Sequence, residues 1–141
     1  MQIPARVHYA ALAMLELAAT ANRPQPLAIR EITSRHGIPQ PFLVQIFQQL
    51  KTAGWVTSTR GSQGGYRMSI APERLTLLDI ADAVGCQETG CSVDGSATPA
   101  SHQLKRVWEK AGDASREVLA SVTISDLLRR FEKAESAMFY I

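Results

Sequence analysis

Val7, Ala10, Ala11, Met14, Leu15 and Ala18 recur three and four positions apart, so the chain opens with an amphipathic helix over Ala5–Thr20. The two prolines of "ANRPQP" end it. In "LAIREITSRHG", Leu27, Ile29 and Ile32 turn one way, which predicts a short helix closed by Gly37 in the left-handed cap position. "GIPQPF" is then a tight turn. Pro41 suits the first turn of the next helix, because the N–H it lacks has no intrahelical partner there. That helix runs to Ala53 with Leu43, Ile46, Phe47 and Leu50 on one face, and Gly54 stops it. The period then drops to two. Trp55–Thr59 and Tyr66–Ile70 are β-prone runs around a glycine-rich connection, which predicts a hairpin.

Helical spacing returns after the hairpin. "TLLD", Thr76–Asp79, has the form of a capping box with Asp in place of the more usual Glu, and starts a helix through Val84. A long helix is predicted from Ser101, with Leu104, Val107, Trp108, Ala111, Ser115, Val118 and Leu119 in one stripe. "TISD", Thr123–Asp126, repeats the cap and opens a last helix that carries Leu127, Leu128 and Phe131. Three helices followed by a hairpin is the order of a winged helix-turn-helix. The expected fold is therefore mainly α with a β-hairpin wing. Residues 1–84 form the winged domain, 85–100 a loop holding both cysteines, and 101–141 a dimerisation helix and a C-terminal helix. The stripe is longer than one small winged motif can cover. Part of it is expected to complete the domain's own core and part to pack on a second copy.

Charge narrows the function. The net charge is +2, but residues 1–75 carry eight Lys/Arg against three Asp/Glu, so +5, and residues 76–141 carry seven against ten, so −3. A basic first half on a winged motif points to double-stranded DNA. Arg60 precedes the glycine wing, where Gly61 and Gly64 would let the backbone approach a groove, and Arg67 on the returning strand is placed for a phosphate. Gln40, Gln45 and Gln48 lie on the motif's second helix, and glutamine pairs bidentately with adenine. Arg6, Arg30 and Arg35 are candidates for backbone contacts. No phosphate-binding loop, Ser/His/Asp set or paired carboxylate is visible. A thiol enzyme would have to use Cys86 and Cys91, whose spacing is not C-x-x-C. A winged module that binds only protein is the remaining alternative, and the basic half weighs against it. No apolar run reaches the length of a membrane helix, and the start of the chain has no signal-peptide pattern. A cytoplasmic location is the expectation.

Four stretches, "HYAALAM", "GIPQPFLVQIFQQLKTAGWV", "RGSQGGY" and "LTLLDIADAVG", fall in an order that resembles one family. It is the bacterial winged helix-turn-helix repressor family of the iron–sulfur regulator IscR, the nitric-oxide sensor NsrR and the cysteine-metabolism regulator CymR. The resemblance extends to the "HQL…VTISDLL" segment and implies a homodimeric transcription repressor whose long helix makes the dimer. This chain departs from relatives in the turn and second helix. Pro39 and Pro41 stand where Ser or Thr is usual, and Val44 where a polar or acidic reader is common. Those exchanges remove hydrogen-bonding groups and leave surface suited to a thymine methyl.

The resemblance also bears on "GCQETGCSVDGSATPASHQL", Gly85–Leu104. Cluster-binding relatives carry three cysteines there, with a fourth ligand from a histidine at the helix start or from a residue near the partner's N-terminus. Cys86 and Cys91 match the first two positions, Pro99 falls where the third would be, and His102 matches the histidine. His8 sits where some relatives borrow a ligand across the dimer. Two thiolates and two imidazoles suit a [2Fe–2S] cluster or a zinc ion. A reversible Cys86–Cys91 disulfide is a second reading. An inert loop, with no cofactor and a small molecule or protein as effector, is a third.

Overall fold

The first helical stripe is realised as α1 (Ala5–Ala19), which buries Val7, Ala10, Ala13, Met14 and Leu17. It is the helix on which the rest of the computed structural model assembles, and residues 2–85 and 98–139 are described. α2 (Ile29–His36) ends at Gly37, whose φ of 65° belongs to the left-handed region and whose N–H donates to the Thr33 carbonyl at 2.8 Å. Leu27 was expected inside this helix and is not. Its backbone pairs with Tyr66 in an isolated antiparallel bridge, with N–H to O distances of 3.0 and 2.8 Å, while its side chain is buried. α3 (Gln40–Thr52) buries Leu43, Ile46, Phe47 and Leu50. Gly54, at φ 82°, turns the chain out of it.

β1 (Val56–Thr59) and β2 (Gly65–Met68) form the antiparallel hairpin, in the register Val56↔Met68 through Thr59↔Gly65. The strands are shorter than the β-prone runs at their body ends. The last bond of the pair is Ser69 N–H to the Trp55 carbonyl at 2.8 Å. The Leu27 bridge adds a single-residue third strand beside β2. Phe47 of α3 stacks on Tyr66 of β2 with ring centroids 4.2 Å apart, so the wing is anchored in the same core as the helices.

A short 3-10 turn, Pro72–Arg74, leads to α4 (Leu77–Val84). Its predicted capping box is formed, with Thr76 and Asp79 exchanging side-chain and backbone bonds at 3.0 and 3.1 Å. α5 (Pro99–Ala120) begins two residues earlier than expected, because Thr98 accepts the Ser101 N–H at 3.1 Å and Pro99 occupies the first turn. The division at residue 101 therefore moves into the helix. α6 (Ile124–Phe139) starts on the second predicted box, Thr123 with Asp126.

Two expectations for the C-terminal segment need correction. α6, grouped with the dimerisation helix in 101–141, packs on the winged domain. Ile124 is fully buried in the common core, its N–H donates to the Leu75 carbonyl at 2.9 Å, and Leu127 and Leu128 pack on the same cluster. α5, by contrast, completes none of that core. It buries no residue, and Leu104, Val107, Trp108 and Val118 are 54–63% exposed. Ala111 is exposed too, and Leu119 is half-buried. α5 is held by its flank instead, where Arg116 pairs with Asp82 of α4 at 3.2 Å.

Candidate nucleic-acid interface

α2, the Gly37–Pro39 turn and α3 make the helix-turn-helix, and a buried carboxylate fixes it to α1. Glu16 is 6% exposed and accepts from Arg35 Nη1 at 2.6 Å, with His36 Nε2 at 2.9 Å on its other oxygen. A buried carboxylate without partners would be strongly destabilising, so Arg35 and His36 lock the C-terminal end of α2 onto α1. Sequence pattern alone did not single out Glu16. Its one visible signal is a charge inside the apolar "AMLELAA" face. Arg35, read as a backbone-contact candidate, has one guanidinium nitrogen committed to this pair. Arg30 is exposed on the outer side of α2.

The outer face of α3 carries Gln40, Gln45 and Gln48, all exposed, with Val44 half-buried beside them. Arg6 reaches this helix from α1, and its Nε and Nη2 donate to Gln49 Oε1 at 3.0 and 2.5 Å. Arg6, Gln45, Gln48, Gln49 and Thr52 thus border one open groove of about 580 Å³. Gln49, absent from the sequence reading, is what holds Arg6 there. Phe42 was also missed. It is 52% exposed on the first turn of α3, off the buried row, and a bulky apolar residue out of phase with its helix was the signal.

The wing separates its two arginines. Arg60 is exposed and has no bonded partner among the described residues. Arg67 donates to the carbonyls of Arg23 and Pro24 at 3.0 and 2.5 Å, which ties β2 to the loop between α1 and α2. Its geometry is that of a brace. The glycines also answer to internal demands. Gly61 has φ 115°, and a Cβ on Gly64 would lie 2.3 Å from the Thr59 carbonyl oxygen. A Cβ on Gly65 would lie 2.3 Å from the Leu27 carbonyl oxygen, so the third-strand bridge itself requires glycine there.

The residues proposed as ligands are not brought together by what is described. Cys86 and Cys91 lie outside the described residues. His8 is exposed on α1, its ring 6.2 Å from that of Tyr9. His102 is exposed in the first turn of α5 and is not the helix cap, a role taken by Thr98. Among the described residues no three His, Cys, Asp or Glu side chains are grouped to hold a metal ion. No helix among them is long and apolar enough to cross a membrane.

Comparison with known proteins agrees with this architecture. Residues 3–130 match the Rrf2 family model, described as an iron-dependent transcriptional regulator. The HTH-type transcriptional regulator CymR of Bacillus subtilis is 31% identical over 142 residues, spanning 100% of both chains. Among solved structures, T. potens IscR superposes with a TM-score of 0.77 at 33% identity, covering 95% of this chain and 90% of that one. The oxidized form of Staphylococcus aureus CymR gives 0.73 at 27% identity, covering 91% and 96%.

Proposed function

The chain belongs to the Rrf2 family of transcriptional regulators, and from that premise we propose a homodimeric repressor that sets α3 in the major groove and the Arg60 wing on the flanking backbone. That it is a DNA-binding regulator and not an enzyme follows from the family. The finer reading is carried by one observation. Gln45 and Gln48 stand exposed on a helix braced from three sides, by Glu16 through α2, by the Phe47–Tyr66 stack and by Arg6 through Gln49. Bidentate readers need such a frame, because a base edge is distinguished only when the side chain arrives in register. Phosphate contacts from Arg60, Arg30 and the free nitrogens of Arg6 and Arg35 would supply the salt-dependent affinity. A second copy on the α5 stripe would give the two-fold symmetry that pairs two half-sites.

A metal or cluster is implied by the family description, and at one position this chain's residue cannot serve it. Pro99 sits in the first turn of α5 and offers no donor where cluster-binding relatives carry a third cysteine, while Cys86 and Cys91 lie outside the described residues. The thiol reading needs only Cys86 and Cys91. The similar S. aureus CymR, solved in an oxidized form, lends it support. A disulfide oxidant would accept the two electrons and two protons released as the Cys86–Cys91 bond forms, and would itself leave as two thiols.

The experiment is fluorescence anisotropy on selected and random duplexes across a salt series, with sedimentation on the same samples. The reading expects a dimer, tighter binding to the selected duplex, and a log–log salt slope of about −0.9 per phosphate neutralised. A monomer, or equal affinity for both duplexes, would refute it. Oxidant should change operator affinity of the parent and leave Cys86→Ala unmoved.

A further inference from the structure

The first turn of α3 offers little to a phosphate. Its N-cap, Pro39, makes no side-chain bond, and Pro41 has no N–H. The N–H groups of Phe42 and Leu43 both donate to the Pro39 carbonyl, at 3.1 and 3.2 Å. A helix N-terminus ordinarily holds an anion through the free N–H groups of its N-cap and first turn; here Pro39 and Pro41 have none and that of Phe42 is engaged, the Leu43 bond being the ordinary first bond of the helix.

What the turn presents instead is apolar. Phe42 is 52% exposed, and Pro39 and Pro41 are exposed beside it. The buried face of α3 is Leu43, Ile46, Phe47 and Leu50, and Phe42 lies off it. Phe42 precedes Gln45 by three positions, so the two side chains are neighbours on one ridge of the helix. A ridge that enters the major groove with Gln45 brings Phe42 to the adjoining base step. The major-groove edges of the four base pairs carry one prominent apolar feature, the 5-methyl group of thymine.

We infer that Phe42 is a specificity-determining residue, packing on a thymine methyl next to the base pair that Gln45 reads. The inference rests on the proposed entry of α3 into the major groove and adds a chemical preference to it. The operator carries a thymine at that step, and the protein senses its methyl group rather than its hydrogen-bonding edge.

The test uses the full chain. Duplexes enriched from a random-sequence pool are remade with each thymine replaced, one at a time, by deoxyuridine, which removes only the methyl. At one thymine position the replacement should weaken parental binding about fourfold, the effect of one buried methyl group. Phe42→Ala should bind the thymine and uracil duplexes alike, while Phe42→Leu should keep part of the discrimination. Because Phe42 is exposed, both variants should melt with the parent. Methyl sensitivity that is identical in the parent and Phe42→Ala, or absent at every thymine, overturns the inference and leaves operator binding intact. A pool that yields no enriched sequence overturns the operator reading and this inference together.

Discussion

α1 and α5 are both amphipathic, yet α1 buries seven of its 15 residues and α5 none of its 22. The periodicity that predicts them is the same. The difference lies in what the rest of the chain brings to the face. α1 is met by α3, α4, α6 and β2, and its stripe of small and medium residues lets them approach closely. α5 meets α4 along the flank that carries Arg116, and its stripe of Leu104, Val107, Trp108 and Val118 is exposed. An apolar stripe states that a surface will be covered; it does not state by whom. In α1 the cover is intramolecular. In α5 the row of four large exposed apolar residues calls for cover from outside the single chain.

The comparison breaks most visibly in stability. Met14 is fully buried on α1, and Met14→Ala should cost about 2–5 kcal/mol of unfolding free energy, the range for emptying such a core site. Urea denaturation at fixed protomer concentration measures it. A loss under 1 kcal/mol would mean that α1 is not the centre of the body.

The matching change on α5 should act on association and not on the fold. Trp108→Asp is expected to raise the dimer dissociation constant by at least about 30-fold, the scale of an interface hot spot. Circular dichroism of the body should be unchanged, because Trp108 is 62% exposed in the single chain. Sedimentation equilibrium checks it. An unaffected dimer would assign the stripe to a different partner.

How far the sequence could be read follows the same division between local and distant causes. Helix starts at Thr76 and Thr123 were legible because a capping box closes within four residues. The stop at Gly37 was legible for the same reason. The Leu27–Tyr66 bridge was not, since it joins residues on opposite sides of the helix-turn-helix and leaves no period in either. The return of α6 to the body hangs on Ile124 finding Leu75, again a contact between distant segments. For the interface, the pattern located the exposed glutamines of α3. It did not tell a free arginine from a braced one. Arg35 and Arg67 look like Arg30 and Arg60 in sequence, and only their distant acceptors, Glu16 and the Arg23 and Pro24 carbonyls, separate them.

Arg60 and Arg67 therefore offer a sharper version of the comparison within the wing. Arg60→Ala should weaken DNA binding several-fold and reduce the salt slope by about 0.9, the signature of one lost phosphate contact. Arg67→Ala should weaken binding less and leave the slope unchanged, because it loosens the wing without removing a charge from the phosphate. Equal slopes for the two variants would show that the brace and the free arginine do the same work.

The smallest effect concerns the residue pair that turns α5 back into the body. Asp126 accepts from the Thr123 N–H at 3.0 Å, and the Thr123 hydroxyl accepts from the Asp126 N–H at 3.1 Å. The Thr123 backbone and side-chain bonds, helped by the adjacent Arg129, hold the Asp126 carboxyl below the usual aspartate range against a small opposing effect of desolvation. A carboxyl lowered in the folded state stabilises fully above its unfolded pKa, roughly 3.9, and loses that contribution as pH falls through the folded value. Asp126→Asn cannot titrate, so the parent should exceed it in stability at pH 7, and the gap should close on acidification below about pH 4. Urea midpoints at pH 7, 5, 4 and 3 read this directly. A gap that stays constant to pH 3 would mean that the charge of Asp126 contributes nothing, and that the box holds α6 by its hydrogen-bond geometry alone.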